Sequence, residues 1–294
     1  MDIEQIHDAQ KAFFRSGKTL DYAFRRQMLQ RLDSALHTYE KMLTDALWTD
    51  LHKSYEEAYL TEISIVYGEI RNHLRHLRRW MRPVRKPSPL SIFPARSKVI
   101  TEPLGNALII APWNYPVQLL LNPLVGAISA GCTAMLKPSP YVPHVSAVLS
   151  KMIRTTFHEE YIGIVEGHRD VNTALLAQRW ELIFFTGSPD LGKKVMLAAA
   201  KHLTPVVLEL GGKSPCIIDQ DADLKIAAKR VAWGKSLNAG QTCIAPDYLL
   251  IHADVRDEFL RLLKQEFENL LGSNPQETKH FVRIVSDRAF ERLS

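Results

Sequence analysis

The sequence predicts an α/β fold: a parallel sheet with helices on both faces, preceded by helices and a proline-rich extended segment. From residue 106 onward, short and almost continuous apolar runs alternate with stretches long enough to be helices. Strands apolar on both faces belong to parallel sheets covered above and below. Before that point apolar residues recur at helical spacing, and between the two styles stand prolines at 83, 87, 89, 94 and 103.

In order, Thr19 is the expected N-cap of a helix through LDYAFRRQMLQRLDSAL, where Phe24, Met28, Leu29, Leu32 and Leu36 mark one face. A second stripe, Ile63, Val66, Ile70, Leu74, Leu77 and Met81, predicts another helix, with Arg71, Arg75, Arg78 and Arg79 on its solvated side. His73 and His76 stand among them without a third ligand nearby, so no metal site is read there. Prolines 83 to 103 forbid a helix and imply an extended excursion. Then come strand NALIIA (106–111), a helix over 116–131, strand CTAMLK (132–137), a helix over 142–157 and strand YIGIVEG (161–167). A short helix (172–178), strand ELIFFTG (181–187), a helix (190–203) and strand TPVVLEL (204–210) complete this series. A second series follows Gly212: strand SPCIID (214–219), a helix (223–237), the polar loop NAGQTCIAP (238–246), strand DYLLIHA (247–253) and a helix (254–271).

A chain of 294 residues suggests about two domains. Its apolar share of 46% and charged share of 23% are those of a soluble globular protein. The net charge is +5, spread along the chain apart from the arginine cluster on the second helix, so no nucleic-acid partner is expected. Three cysteines, Cys132, Cys216 and Cys243, make no disulfide framework and point to a reducing, cytoplasmic setting. The start, MDIEQIHDAQKAFF, does not read as a secretory signal, and no membrane-spanning segment is expected in this chain.

Sheets of this kind bind ligands at the carboxyl ends of their strands. Trp113-Asn114, Thr186-Gly187-Ser188 and Glu209 all fall there. Cys132 and Cys216 lie within apolar strands, where a thiol behaves as a small hydrophobe with a raised pKa. Cys243 instead closes the polar run Asn238-Ala239-Gly240-Gln241-Thr242. A lone loop cysteine is by default a surface thiol, and a lone acid after a strand a cap or ion-pair partner. What sets Cys243 and Glu209 apart is a rim shared with an amide and a glycine loop. GSPDLGKK (187–194) falls short of a P-loop because Lys194 replaces the hydroxyl that would hold magnesium. Its strand, glycine turn and helix still offer a helix N-terminus to a phosphate. Lys137, ending CTAMLK, is placed to hold a ribose hydroxyl or a phosphate, or else to snorkel to the surface.

The motifs PWNYP (112–116), GCTAMLKPS (131–139), FFTGS (184–188), LELGGKSP (208–215) and NAGQTCIAPDY (238–248) resemble the aldehyde dehydrogenase superfamily. AAAKHLTPVVLELGGKSP and RVAWGKSLNAGQTCIAPDYLL are similar to its class-3 branch, which handles fatty and aromatic aldehydes. The resemblance runs in order from about Thr19 to the last residue. It implies a Rossmann-like, doubly wound cofactor domain (1–82 and 102–209), an oligomerisation arm (83–101) and the first part of an α/β catalytic domain (210–294). It also implies NAD or NADP as cofactor, a small-molecule aldehyde as substrate and a homodimer at full length. Cys243 matches the nucleophile, Glu209 the general base and Asn114 the oxyanion donor. Lys137 matches the ribose contact, Gly187, Ser188 and Gly192 the cofactor-binding turn and helix start, and Trp113 and Leu210 positions along the cofactor.

On this resemblance the Cys243 thiolate attacks an aldehyde, and Glu209 activates the water that releases the acid. Burial near a thiolate is expected to raise the pKa of Glu209. A hydrolytic base at this position favours release of a free acid over transfer to coenzyme A. Pro140 stands where NAD-preferring members carry a glutamate, which removes repulsion of a 2′-phosphate, so NADP is expected to be accepted. The family's glutamate-isoleucine-phenylalanine-glycine-proline segment is not among the 294 residues, so the chain reads as C-terminally incomplete. That leaves an alternative, an inactive fragment acting as a binding or interaction module. A thiol hydrolase ranks last, because it needs a histidine partner and none lies in these motifs.

Overall fold

The computed structural model describes residues 2–294. Helices α1 (Ile3–Arg15), α2 (Tyr22–Leu51), α3 (Tyr55–Ala58) and α4 (Ser64–Trp80) come first. Helix α1 has no counterpart among the helices expected from the sequence pattern. Its buried positions are Ile6, His7 and Gln10, and two polar residues among three blur the apolar period. Those polar groups dock the helix: Gln10 donates to the carbonyls of Ala134 (2.8 Å) and Glu159 (3.1 Å). The N-cap of α2 is Asp21, whose carboxylate accepts from the Phe24 N–H at 2.9 Å. Thr19, the expected cap, is buried in a 3₁₀ turn, where its carbonyl accepts from Arg25 Nε at 2.7 Å.

The proline-rich stretch is extended, as expected. Strands β1 (Val84–Lys86) and β2 (Ser97–Val99) pair antiparallel in a projecting hairpin. Near its tip Leu90 is 90% and Phe93 81% exposed. Residues 70–101 hold nine lysines and arginines and no acid, and all nine are exposed. Subtracting those nine from the chain's +5 leaves a net −4 for everything else.

The central unit runs β3 (Asn106–Ile110), α5 (Gln118–Ala130), β4 (Thr133–Lys137), α6 (Pro143–Thr156) and β5 (Ile162–Ile164). It continues with α7 (Arg169–Ala177), β6 (Leu182–Gly187), α8 (Pro189–Ala200) and β7 (Val206–Leu210). The five strands are parallel in the order β5-β4-β3-β6-β7. The chain enters at the middle, builds outward to β5, then crosses over and builds the other way to β7, which makes the sheet doubly wound. Alternate residues divide the two faces. Ile109, Ala134 and Leu136 pack with α2, α4, α5 and α6. Leu108, Ile110 and Met135 pack with Ile6 of α1, Leu175 of α7 and Val195 and Ala199 of α8. Winding reverses between β3 and β6, and the crevice at the carboxyl ends there is where open α/β sheets take ligands.

Beyond β7, β8 (Ser214–Ile218) and β9 (Pro246–Ile251) form a parallel pair. Helices α9 (Leu224–Ser236) and α10 (Arg256–Leu271) close a separate small core with them, around Ile218, Ala228, Ala232 and Phe259. Helix α11 (Asp287–Leu293) is last.

Candidate active site

Four strand ends build the rim. β3 leads into Trp113 and Asn114, β4 ends on Lys137, β6 ends on Gly187 before Ser188, and β7 ends on Glu209 and Leu210. The fifth contributor, the Cys243 loop, arrives from the other core. After α9 the chain passes through Asn238 and Ala239, both at φ 52, and Gly240 at φ 73. Left-handed backbone costs an L-residue roughly 1–2 kcal/mol, so two non-glycines there need outside support.

Side chains supply it. The Asn238 N–H donates to Glu57 Oε1 at 2.7 Å. Asn238 Nδ2 donates to the carbonyls of Asn114 (3.0 Å) and Gln241 (3.1 Å). Asn114 Nδ2 also donates to the Gln241 carbonyl, at 2.9 Å, and the hydroxyls of Tyr115 and Thr242 meet at 2.6 Å. Burial pushes the Tyr115 phenol up to about 12, so it stays protonated and free to donate. Gln241 reaches the following segment, donating to the Arg283 carbonyl (3.1 Å) and accepting from the Val285 N–H (3.0 Å).

Behind the loop lies an ion pair without solvent exposure. Lys53 Nζ stands 2.7 Å from Glu62 Oε1, both side chains at 0% exposure. Lys53 also donates to the Asn114 carbonyl at 3.1 Å and lies 4.4 Å from the Tyr115 ring centroid. The other oxygen, Glu62 Oε2, accepts from the Val117 N–H (2.7 Å) ahead of α5.

Cys243 and Glu209 line one cavity of about 530 Å³, together with Thr186 and an apolar wall that includes Leu104, Ile109, Leu119, Leu182 and Phe184. Register explains the acid's place: Glu209 pairs with Thr186 across β6 and β7, while Val206, Leu208 and Leu210 pack on the opposite face. The Gly211-Gly212 step then carries the chain past the nucleophile loop, where a Cβ on Gly212 would sit 3.7 Å from the Cys243 carbonyl oxygen. The expected burial of Glu209 is not met. It is exposed, because β7 is an edge strand. Cys243 is exposed too, Cys216 is half-buried, and Cys132, just before β4, is buried in the cavity lining, its thiol pushed up by burial. Asn114 is tied to the Cys243 loop, and its Oδ1 is buried without a partner.

The remaining predicted residues gather on the other side of the rim. Lys137 is buried rather than snorkelling; Nζ donates to the Pro138 carbonyl at 2.8 Å, and burial lowers its pKa to about 8 against the pull of Glu166 and Asp170. Ser188 caps α8 by accepting from the Leu191 N–H. Gly192 is buried where a Cβ would lie 2.9 Å from Leu210, so it lets α8 approach β7. Trp113 is half-buried. Between α7 and α8 opens a second cavity of about 360 Å³, lined by Ile110 and Phe185 and ringed by Arg169, Lys194 and Lys201. A helix N-terminus, a buried lysine and a cation-rimmed apolar slot beside the winding reversal fit a dinucleotide. No motif in the sequence marks Arg169, Lys201, Lys53, Glu57 or Glu62.

A doubly wound sheet whose rim carries a thiol, a carboxylate and an adjoining cation-rimmed slot has the architecture of a cofactor-dependent α/β protein. The chain belongs to the aldehyde dehydrogenase family, whose model matches residues 1–294. It is 42% identical over 292 residues to 4,4′-diaponeurosporen-aldehyde dehydrogenase of Staphylococcus aureus, covering 99% of this chain and 64% of that protein. It is 43% identical over 280 residues to human aldehyde dehydrogenase family 3 member B1, covering 95% of this chain and 60% of the relative. A solved structure described as the substrate-bound state of Staphylococcus aureus AldH superposes with a TM-score of 0.97 at 42% identity, covering all of this chain and 64% of that one. The chain thus spans less than two thirds of each.

Proposed function

We propose that this chain carries the cofactor-binding and nucleophile-bearing parts of an NAD(P)-dependent aldehyde dehydrogenase that oxidises an aldehyde to a carboxylic acid. The observation that carries the reading is the cavity shared by Cys243 and Glu209 at the strand-end rim. The Cys243 sulfur adds to the aldehyde carbon. The resulting oxyanion takes a hydrogen bond from Asn114 Nδ2, whose second hydrogen is left after the bond to Gln241; removing such a donor typically costs about 100- to 1,000-fold in kcat. Lys137, the Ser188 turn and the slot between α7 and α8 would hold the dinucleotide, which would supply the acceptor for the hydride leaving the thiohemiacetal carbon, so that the Cys243 adduct becomes a thioester. Glu209 then takes a proton from the water that cleaves the Cys243 thioester, and its exposed edge position leaves that water access. The apolar wall of the cavity favours aldehydes with apolar tails.

Position 140, three residues after Lys137, is a proline and adds no carboxylate there; Glu166 and Asp170 are the acids whose charge reaches Lys137, and NADP is expected to be accepted beside NAD. The domain division is 1–82 with 102–209, an oligomerisation hairpin at 83–101, and 210–294; the exposed Leu90 and Phe93 support the hairpin's role in a homodimer. No described helix is long and apolar enough to cross a membrane. The test is reduced-cofactor formation with an aldehyde panel. Cys243→Ala abolishes it, and Glu209→Gln keeps a pre-steady-state burst but stalls turnover. Turnover surviving in Cys243→Ala refutes the reading. Cofactor binding without aldehyde oxidation by the unaltered chain supports the alternative, an inactive binding module.

A further inference from the structure

We propose that Glu57 and Lys53, carried by the short segment after α2, are positioning residues that set the geometry between Asn114 and the Cys243 loop. The proposal rests on the reading of Cys243 and Asn114 given above and adds to it.

Three stretches far apart in sequence meet here: 53–62, 113–118 and 238–243. Two carbonyls are the hubs. The Asn114 carbonyl accepts from Lys53 Nζ (3.1 Å) and Asn238 Nδ2 (3.0 Å). The Gln241 carbonyl, two residues before the thiol, accepts from Asn238 Nδ2 (3.1 Å) and Asn114 Nδ2 (2.9 Å). The Asn238 side-chain amide therefore couples the proposed oxyanion donor to the nucleophile loop. Asn238 itself is held in left-handed backbone, and its N–H is taken by Glu57 at 2.7 Å.

Lys53 and Glu62 clamp the Asn114 segment from both ends. The ammonium holds the carbonyl of residue 114, and the carboxylate takes the N–H of residue 117. An orphan N–H at a helix start is a site where a carboxylate is favoured. Glu57 is half-buried and burial holds its carboxyl above the usual range, opposed by the Asn238 N–H and the Lys53 charge. Neither Glu57 nor Lys53 lines the cavity holding Cys243 and Glu209, so both act through Asn238 and Asn114 rather than on the substrate.

Two readouts on the chain test this. Glu57→Ala removes the acceptor, and Glu57→Gln keeps a neutral one in the same place. In Glu57→Ala, amide hydrogen exchange at 238–243 accelerates at least tenfold while the central sheet is unchanged; in Glu57→Gln it stays within threefold of the parent. In aldehyde oxidation, Glu57→Ala lowers kcat at least tenfold with the KM for cofactor unchanged, and Glu57→Gln recovers most of that loss. The double variant Lys53→Met/Glu62→Gln removes both charges of the clamp without stranding either. It loosens exchange at 114–118 and lowers kcat in the same way. Loop exchange in Glu57→Ala equal to that of the parent overturns the proposal, even if no turnover is seen. So does a kcat within twofold of the parent in an otherwise active enzyme. Failure of the Cys243 reading shows separately, as turnover surviving in Cys243→Ala.

Discussion

Replacing Lys53 by Met tests the energetics of the buried pair. The side chain keeps most of its apolar stem but loses the ammonium, leaving the Glu62 carboxylate at 0% exposure with one oxygen still bonded to the Val117 N–H and the other stranded. Breaking a buried ion pair by removing one partner costs roughly 3–5 kcal/mol, because an uncompensated charge stays inside. That is a large part of the roughly 5–15 kcal/mol by which a domain is stable. The double variant Lys53→Met/Glu62→Gln leaves no charge inside, only a neutral glutamine NH2 facing the methionine. The Asn114 carbonyl keeps Asn238 Nδ2, and a glutamine oxygen can still accept from Val117. It is therefore expected to cost about 1–3 kcal/mol, the desolvation of one neutral donor group, and less than an uncompensated charge. Urea unfolding followed by tryptophan fluorescence supplies both numbers. A single variant costing under about 1 kcal/mol, or a double variant no more stable than Lys53→Met, refutes the reasoning.

Two further predictions follow from the rim. The folded Lys137 amine titrates near 8, below the unfolded 10.5, so between these pH values the unfolded chain holds a proton that the folded chain has lost, and stability rises with pH across that window. Lys137→Met accordingly gains about 3 kcal/mol at pH 7, a gain that disappears by about pH 10.5; denaturation midpoints at the two pH values check it, and a pH-independent difference refutes it. Gly192→Ala puts a methyl 2.9 Å from Leu210 Cδ2, the end of a half-buried side chain that can turn aside, while the helix gains about 1 kcal/mol of propensity; a melting temperature equal to or above the parent's is expected, and a loss of more than about 1 kcal/mol refutes it.

The sheet is legible because its strands are short, apolar on both faces and separated by helical stretches; proline spacing likewise marks 83–103 as extended, though not that β1 and β2 pair as a hairpin. Strand order is not, since sequence period says nothing about which strand lies beside which. The site divides in the same way. Glu209 and Cys243 announce themselves by local context, an acid at a strand end and a thiol after a glycine loop. Lys53 and Glu62 do not, because charged residues in a helical stretch read as solvent-facing until 113–118 folds over them. α1 escaped notice for the related reason that His7 and Gln10 are buried through hydrogen bonds rather than apolar contact. The exposure of Glu209 was missed because an acid's motif does not reveal that its strand is the last in the sheet.

The unequal distribution of cations has a consequence for behaviour before contact. With nine positive groups along the second half of α4 and the hairpin that follows it, and a net −4 elsewhere, the chain is an electric dipole. In dilute salt it rotates to meet any polyanionic surface hairpin first, and encounter accelerates accordingly. At ionic strengths where the screening length shrinks to about 3 Å that preference vanishes, and approach becomes indifferent to orientation.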